Sequence, residues 1–206
     1  MVSTSSTTEA TGCDRAEIED FWRRWLDANR RAEEEKDWSP LADFYAEDAS
    51  YGWMYQPDEH FMAMGREEIR DYALGTEMAG LDGWTYEYLS TVIDEQQGMI
   101  VGFWKQRSGI LDDNGEEFFI EGIGGSWFGY EDGQFVWQRD WFDLSSAGHT
   151  FLAILKSGKA SPGLVDRMSL DGPSQPGHYT RAELPSSVWP PVVAAQSTTQ
   201  ESGATA

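Results

Sequence analysis

Cysteine is nearly missing from this chain: Cys13 stands alone among 206 residues. One thiol excludes an internal disulfide and any cysteine-rich zinc site, and its place in a polar leader marks it as incidental. Histidine is scarce as well. His60, His149 and His178 have no ligand spacing, so no metal site is expected. Basic residues are outnumbered, 15 against 36 acidic, for a formal net charge of −21. That balance argues against binding nucleic acid or an anionic membrane through the bulk surface. No apolar run is long enough to span a bilayer, and Met1–Gly12 lacks the basic-then-apolar order of a secretory signal. A soluble, cytoplasmic protein is the expectation. A phosphate loop, a dinucleotide fingerprint and a nucleophile elbow are also absent, and no cofactor is expected.

Tryptophan is what the chain has in excess, with ten copies. In aromatic-lined pockets and subunit interfaces it supplies large apolar area and one polar handle. Several of the ten fall in Gly124–Leu144, which reads as two strands joined at Glu131-Asp132-Gly133-Gln134, since Asp-Gly between alternating aromatic runs signals a hairpin. A two-residue type I′ turn there puts Asp140 opposite Gly125 and Gln138 opposite Trp127. One face then carries Ile123, Gly125, Trp127, Gln138, Asp140 and Phe142, and the other Phe128, Phe135, Trp137, Arg139 and Trp141. A carboxylate in an aromatic strand beside a residue with no side chain is what an acid in a pocket wall looks like. The bland alternative is that Asp140 pairs with a basic group.

Along the chain, Met1–Gly12 is Ser/Thr-rich and expected to be disordered. From Asp14 a helix is predicted, with Asp14 as N-cap, Glu17 completing a capping box, and Ile18, Phe21, Trp22, Trp25, Leu26 and Asn29 at helical spacing. Ser39-Pro40 opens a second helix, and Ala49–Tyr55 reads as a strand with Tyr51, Trp53 and Tyr55 on one face. Gln56–Met64 is predicted to be a loop containing His60, before a third helix from Gly65. Strands follow at Trp84–Glu95, at Met99–Leu111 with Gly102, Trp104, Gln106 and Ser108 on one face, and at Glu117–Phe128. Gly122–Gly125 holds three glycines inside that last pattern, which points to a bulge or a close approach. Phe151–Leu155 is expected to dock as a last helix. The order gives an α+β protein: residues 1–13 a leader, 14–156 a single domain built on one curved sheet, and 157–206 an extension in which Trp189 is the anchor.

Three stretches carry a resemblance: LADFYAEDASY at Leu41–Tyr51, MGREEIRDY at Met64–Tyr72 and WQRDWFDL at Trp137–Leu144. Together they resemble the nuclear transport factor 2-like superfamily in its SnoaL-like branch, with most likeness to limonene-1,2-epoxide hydrolases, over roughly Glu17–Leu144. The resemblance implies a cone: a strongly curved, mostly antiparallel sheet wrapped around the long N-terminal helix, an apolar pocket between them, and dimers formed through the outer sheet. It implies a catalytic role for Asp140 and for Tyr51, which match the second Asp and the Tyr of the hydrolases' Asp–Arg–Asp, Tyr and Asn set. The chain departs from that set elsewhere: Trp53 stands at the Asn position, Trp104 at the Arg position and Gln106 at the first Asp position. Ketosteroid isomerases of the superfamily need an Asp where Trp53 stands and another near Gly125, so neither chemistry carries over complete.

The expected site is therefore Asp140 as general acid or base, Tyr51 as donor to a developing oxyanion, and a substrate-binding wall of Trp22, Trp25, Trp53, Tyr55, His60, Trp104, Gln106, Glu121, Trp127 and Gln138. Each has a plainer alternative. Trp104 and Trp127 suit ordinary core, Glu121 suits a solvated strand end, and His60 suits the surface. Two functions stay open. One is a small-molecule enzyme of the SnoaL-like type, acting without cofactor on a polycyclic, polyketide- or terpenoid-like substrate as hydrolase, isomerase, dehydratase or cyclase. The other is a non-catalytic binding or assembly module whose pocket is filled by indoles. A homodimer packed through Phe128, Phe135, Trp137 and Trp141 is expected, because these would otherwise make a large exposed apolar patch.

Overall fold

The computed structural model describes residues 13–56, 58–169 and 175–190; the expected disorder of Met1–Gly12 and of the end beyond Pro190 lies outside them. Helix α1, Arg15–Glu35, starts at Asp14, whose carboxylate accepts the Ala16 N–H at 2.9 Å. Glu17 does not close a capping box; its carboxylate accepts the hydroxyl of Tyr130 and so ties the helix to the sheet. The buried stripe is Ile18, Phe21, Trp22, Trp25, Asn29 and Ala32, and the helix stops where Lys36 turns left-handed at φ 58°. Trp22 and Trp25 stack at 4.9 Å and both meet Phe128 of the sheet edge-on.

The strands are β1 Tyr45–Gln56, β2 Glu59–Met64, β3 Thr85–Asp94, β4 Met99–Leu111, β5 Glu117–Phe119, β6 Gly124–Glu131, β7 Gln134–Trp141 and β8 His178–Thr180. They form one sheet in the order β3-β4-β6-β7-β1-β2-β8, with β5 on β4. Every pairing is antiparallel except β1 with β7. This is the expected α+β architecture of a long first helix against a curved sheet. Ser39–Phe44 is a 3-10 helix, α2 Arg66–Glu68 runs into a π turn at Ile69–Ala73, and Thr76–Met78 is another 3-10 turn. Helices α3 Leu144–Ser157 and α4 Pro162–Met168 follow the sheet; Ile154 and Leu164 join Leu81, Trp84, Ile120 and Ala147 in a second apolar cluster.

Several strands differ from expectation. The single strand predicted over Glu117–Phe128 is broken at residues 120–123 into β5 and β6, and β8 lies in the stretch read as an extension. The predicted loop around His60 is β2, in which Glu59–Ala63 are all buried. A strand covered on both faces shows no alternation, so its period is invisible in sequence. The hairpin forms at the expected turn, with Asp132 and Gly133 at φ 47° and 79° as a type I′ turn requires. Its register then slips: Tyr130 faces Phe135 but Gly129 faces Trp137, leaving Val136 as an extra residue. Past this bulge every β7 residue sits one place from its predicted partner. Asp140 faces Ser126 and Gln138 faces Phe128.

The bulge exchanges residues between the faces. Phe128 and Phe135 are fully buried on the inner face against α1, so the outer patch loses half of its expected members. Trp127 moves to the outer face, where its ring meets Trp137 at 5.2 Å and Trp189 at 6.1 Å. Close approach, rather than a bulge, explains the glycines. A Cβ on Gly124 would overlap the Trp104 ring, and one on Gly125 would overlap Trp141.

Candidate functional site

The cone encloses a cavity of about 360 Å³. β1 contributes Tyr45, Tyr51, Trp53 and Tyr55; β3 gives Tyr86 and Tyr88; β4 gives Trp104 and Gln106; β6 and β7 give Ser126, Gln138 and Asp140. Trp25 of α1 and Trp38 complete the aromatic wall, and α3 closes over it with Phe151. Indoles line the space without filling it.

At one end the polar side chains are ordered around a single carboxylate. The Tyr51 hydroxyl donates to Asp140 Oδ2 at 2.5 Å, and Gln138 Nε2 donates to Oδ1 at 2.8 Å. Tyr45 fixes the orientation of that amide by donating to Gln138 Oε1. Ser126 sits directly across the ladder from Asp140 and shares the Gln138 amide with it, accepting Nε2 at 3.4 Å. The Ser126 oxygen also accepts the Trp104 indole N–H at 2.9 Å and the Tyr88 hydroxyl at 3.3 Å. Five strands, β1, β3, β4, β6 and β7, thus place polar side chains around Asp140.

Asp140 keeps accessible surface because it faces the cavity, yet the surrounding protein is dense enough to perturb its proton affinity. Burial raises its carboxyl above the ordinary value and outweighs the hydrogen bonds from Gln138 and Tyr51, the neighbouring Ser126 hydroxyl and the nearby Arg139, all of which pull it down. Tyr45, Tyr51 and Tyr88 are raised well above the usual phenol range, by burial first and then by the charge of Asp140. They remain donors at any working pH. The arrangement is that of a proton acceptor whose lone pairs are partly satisfied by neutral donors, facing an apolar space.

No basic side chain pairs with Asp140 among the described residues. Arg107 is engaged by Glu117 and Glu87 at the surface. Arg139 points to the outer face, where it donates to the carbonyls of Ser50 at 3.1 Å, Gln138 at 2.7 Å, Val188 at 2.8 Å and Ser187 at 3.2 Å. Burial lowers its pKa to about 10, with Asp140 acting against that fall.

Of the residues expected at the site, Tyr51, Asp140, Trp25, Trp53, Tyr55, Trp104, Gln106 and Gln138 line the cavity together. Trp22 sits one layer back, stacked on Trp25, with its indole donating to Thr91 at 3.1 Å. His60 is buried on β2 and borders a separate groove beneath residues 181–189. Glu121 is exposed in the break between β5 and β6. Trp127 is on the outer face, as the bulge dictates. Sequence reasoning missed Tyr45, Tyr88 and Ser126 in the donor set. The alternation of Trp84, Tyr86 and Tyr88 was a usable sign for Tyr88; nothing local marks Ser126, whose role depends on the bulge. Also missed were Glu59, Glu77 and Arg167, which line the cavity from β2, the second 3-10 turn and α4.

No family model and no curated protein matches the chain. Solved structures with a similar fold include one from Jannaschia sp. CCS1 described as a SnoaL-like polyketide cyclase, at 12% identity, covering 78% of this chain and 100% of that one, TM-score 0.48. A phenazine biosynthesis-related protein from Pseudomonas aeruginosa superimposes at 14% identity over 65% of this chain and 90% of its own, TM-score 0.45. An NTF2-like protein of unknown function from Burkholderia pseudomallei gives 14% identity, 65% and 96% coverage and TM-score 0.48. None of the three is described as an epoxide hydrolase. At these levels of identity and superposition they say nothing about activity. Among the described residues, no helix is long and apolar enough to cross a membrane.

Proposed function

We propose that this protein is a cytoplasmic small-molecule enzyme of the SnoaL-like kind, using Asp140 as general base and acid on an apolar polycyclic ligand held in the cone. No cofactor is invoked. The observation that carries this reading is the convergence of Tyr51 and Gln138 on one carboxylate, with Ser126 facing it across the ladder, at the wall of an open cavity. Such a base takes a proton from carbon or oxygen of the bound ligand. Tyr51, already protonated, donates to the oxygen on which charge develops, and Asp140 returns the proton elsewhere on the ligand. Isomerisation, dehydration and cyclisation all fit that cycle, because the aromatic wall sets which ligand atom faces Asp140.

Asp140→Asn tests the proposal. It keeps the shape and removes the proton acceptor, so turnover of a substrate found by mass spectrometry of the purified protein should fall by roughly two or more orders of magnitude. Full turnover in Asp140→Asn sinks the acid–base reading, whereas a ligand that binds the unmutated protein and is not turned over leaves the non-catalytic binding module.

We also propose a homodimer through the outer sheet face, carried by Trp127 and Trp141 with Trp189 at its margin. Trp141 and Trp189 are 38% and 71% exposed, and apolar area of this kind favours a partner surface. Sedimentation showing a monomer only, at micromolar concentration, counts against it.

A further inference from the structure

Three segments far apart in the chain meet at a second polar point of the same cavity. The His178 imidazole is buried between two carboxylates, with Nδ1 2.7 Å from Glu59 Oε1 and Nε2 3.0 Å from Glu77 Oε1. The other Glu77 oxygen accepts from Arg167 Nη2 at 3.3 Å. Hydrogen bonds at both ring nitrogens require the imidazole to carry two protons, or one carboxyl to carry one. Both oxygens of Glu77 are thus engaged. Only one of Glu59 is: its Oε2 has no hydrogen-bond partner among the described residues, and Glu59 lines the cavity.

Strand β1 separates this point from Asp140. Tyr51 donates to Asp140, while Tyr55, on the same face, packs its ring on His178 at 5.3 Å. The stretch between these two residues spans about 13 Å of extended chain. Between the two ends lies the aromatic wall, to which Trp25, Trp38 and Trp53 contribute. A hydrocarbon occupant would leave Glu59 Oε2 unsatisfied, and an unmade bond at a nearly buried charged group is expensive. An occupant with an O–H at each end satisfies both carboxylates.

We propose that Glu59, oriented by His178, is a second acid–base and binding group, and that the cavity takes a flat fused-ring ligand with a phenolic or enolic hydroxyl at each end. One hydroxyl engages Asp140 and the other Glu59, so the proposal rests on the Asp140 reading above and extends it. Proton transfer at the second point balances within the pair. The ligand O–H bond breaks, an O–H bond forms on Glu59 Oε2, and the negative charge passes from carboxylate to ligand oxygen. His178 keeps its protons and holds Glu59 in place, as a positioning residue.

Three probes test this by quenching of tryptophan fluorescence in the full-length protein: an anthracene with one hydroxyl on an outer ring, the diol with one on each outer ring, and the monomethyl ether of that diol. The diol is expected to bind about tenfold or more tightly than the mono-ol, the yield of one hydrogen bond to a charged acceptor. The ether, equal in shape but lacking the second donor, should bind like the mono-ol. Glu59→Gln should erase most of the diol's advantage and leave the mono-ol within about twofold, which also shows that the cavity has folded. Equal affinity of diol and ether in the unmutated protein overturns the proposal without recourse to any variant. So does an advantage that survives Glu59→Gln. If the mono-ol still depends on Asp140 in either case, the Asp140 reading stands by itself. Failure of all three probes to bind overturns the ligand class.

Discussion

The hydroxyl of Tyr51 donates to Oδ2 of Asp140 across the only parallel pair among the described strands, β1 with β7. That bond and the one from Gln138 hold the Asp140 carboxyl down against the effect of burial. Tyr51→Phe removes it and nothing else of similar size. The carboxyl should then titrate at higher pH than in the unmutated protein, and the acid limb of a rate profile should move the same way. Carbon NMR of the labelled carboxyl reads this directly. An unchanged titration would mean that the hydrogen bond contributes nothing to the base.

His178 and Glu77 make folding depend on pH in opposite directions. Burial opposes the charge on both, but each is the other's partner. Glu77 is held below its ordinary 4.5 by His178 and Arg167, and His178 is held above its ordinary 6.5 by Glu77 and Glu59. A depressed carboxyl stabilises the fold above 4.5 and loses that contribution as pH falls through its folded value. A raised imidazole stabilises below 6.5 and loses its contribution as pH rises through its folded value. Both are fully present between about 4.5 and 6.5. The groups that face His178 are Glu59, Glu77 and Tyr55, with Arg167 beyond Glu77. The difference in melting temperature between the unmutated protein and His178→Gln should be greatest in that window and shrink above it. A difference that grows toward alkaline pH would contradict this.

Much of the fold is legible in the sequence because it repeats. The α1 stripe from Ile18 to Ala32 and the β4 set Gly102, Trp104, Gln106 and Ser108 follow one period each, and both are buried as the period requires. Val136 breaks the same reasoning on β7. A bulge residue carries no compositional mark, yet it moves Trp127 out of the cavity and brings Ser126 to Asp140. The second polar point was hidden for another reason. Glu59, Glu77 and His178 come from β2, a 3-10 turn and β8, and no spacing rule links residues joined only by the closed fold.

Arg139 binds the C-terminal segment to the outer face through the carbonyls of Ser187 and Val188. It is buried without an ion pair among the described residues, so its stability depends on these carbonyls and on Ser50 and Gln138. Arg139→Met removes the charge but strands the acceptors, at a cost of about 1–3 kcal/mol. Limited proteolysis should then cut near residue 187 far faster than in the unmutated protein, and the Asp140 carboxyl, having lost the pull of the nearby charge, should titrate higher. Equal cleavage rates in the two proteins would show that Trp189 and its neighbours hold the segment alone.

Gly124 is where packing and chemistry can be separated. It pairs with Trp104 across the β4–β6 ladder, and the indole lies over the space a side chain would occupy. Gly124→Ala should push the ring aside, with an overpacking cost of about 1–3 kcal/mol. Displacing the ring also breaks the N–H bond from Trp104 to Ser126, which faces Asp140 across the ladder and shares the Gln138 amide with it. Stability and activity should both fall. Adding Trp104→Phe makes room for the new methyl group without restoring the N–H. The double variant should therefore recover melting temperature relative to Gly124→Ala, while ligand turnover stays low and the Asp140 carboxyl stays at its shifted titration. Full recovery of turnover in the double variant would show that Trp104 serves Asp140 by volume only, and that the Trp104–Ser126 bond has no part in setting the base.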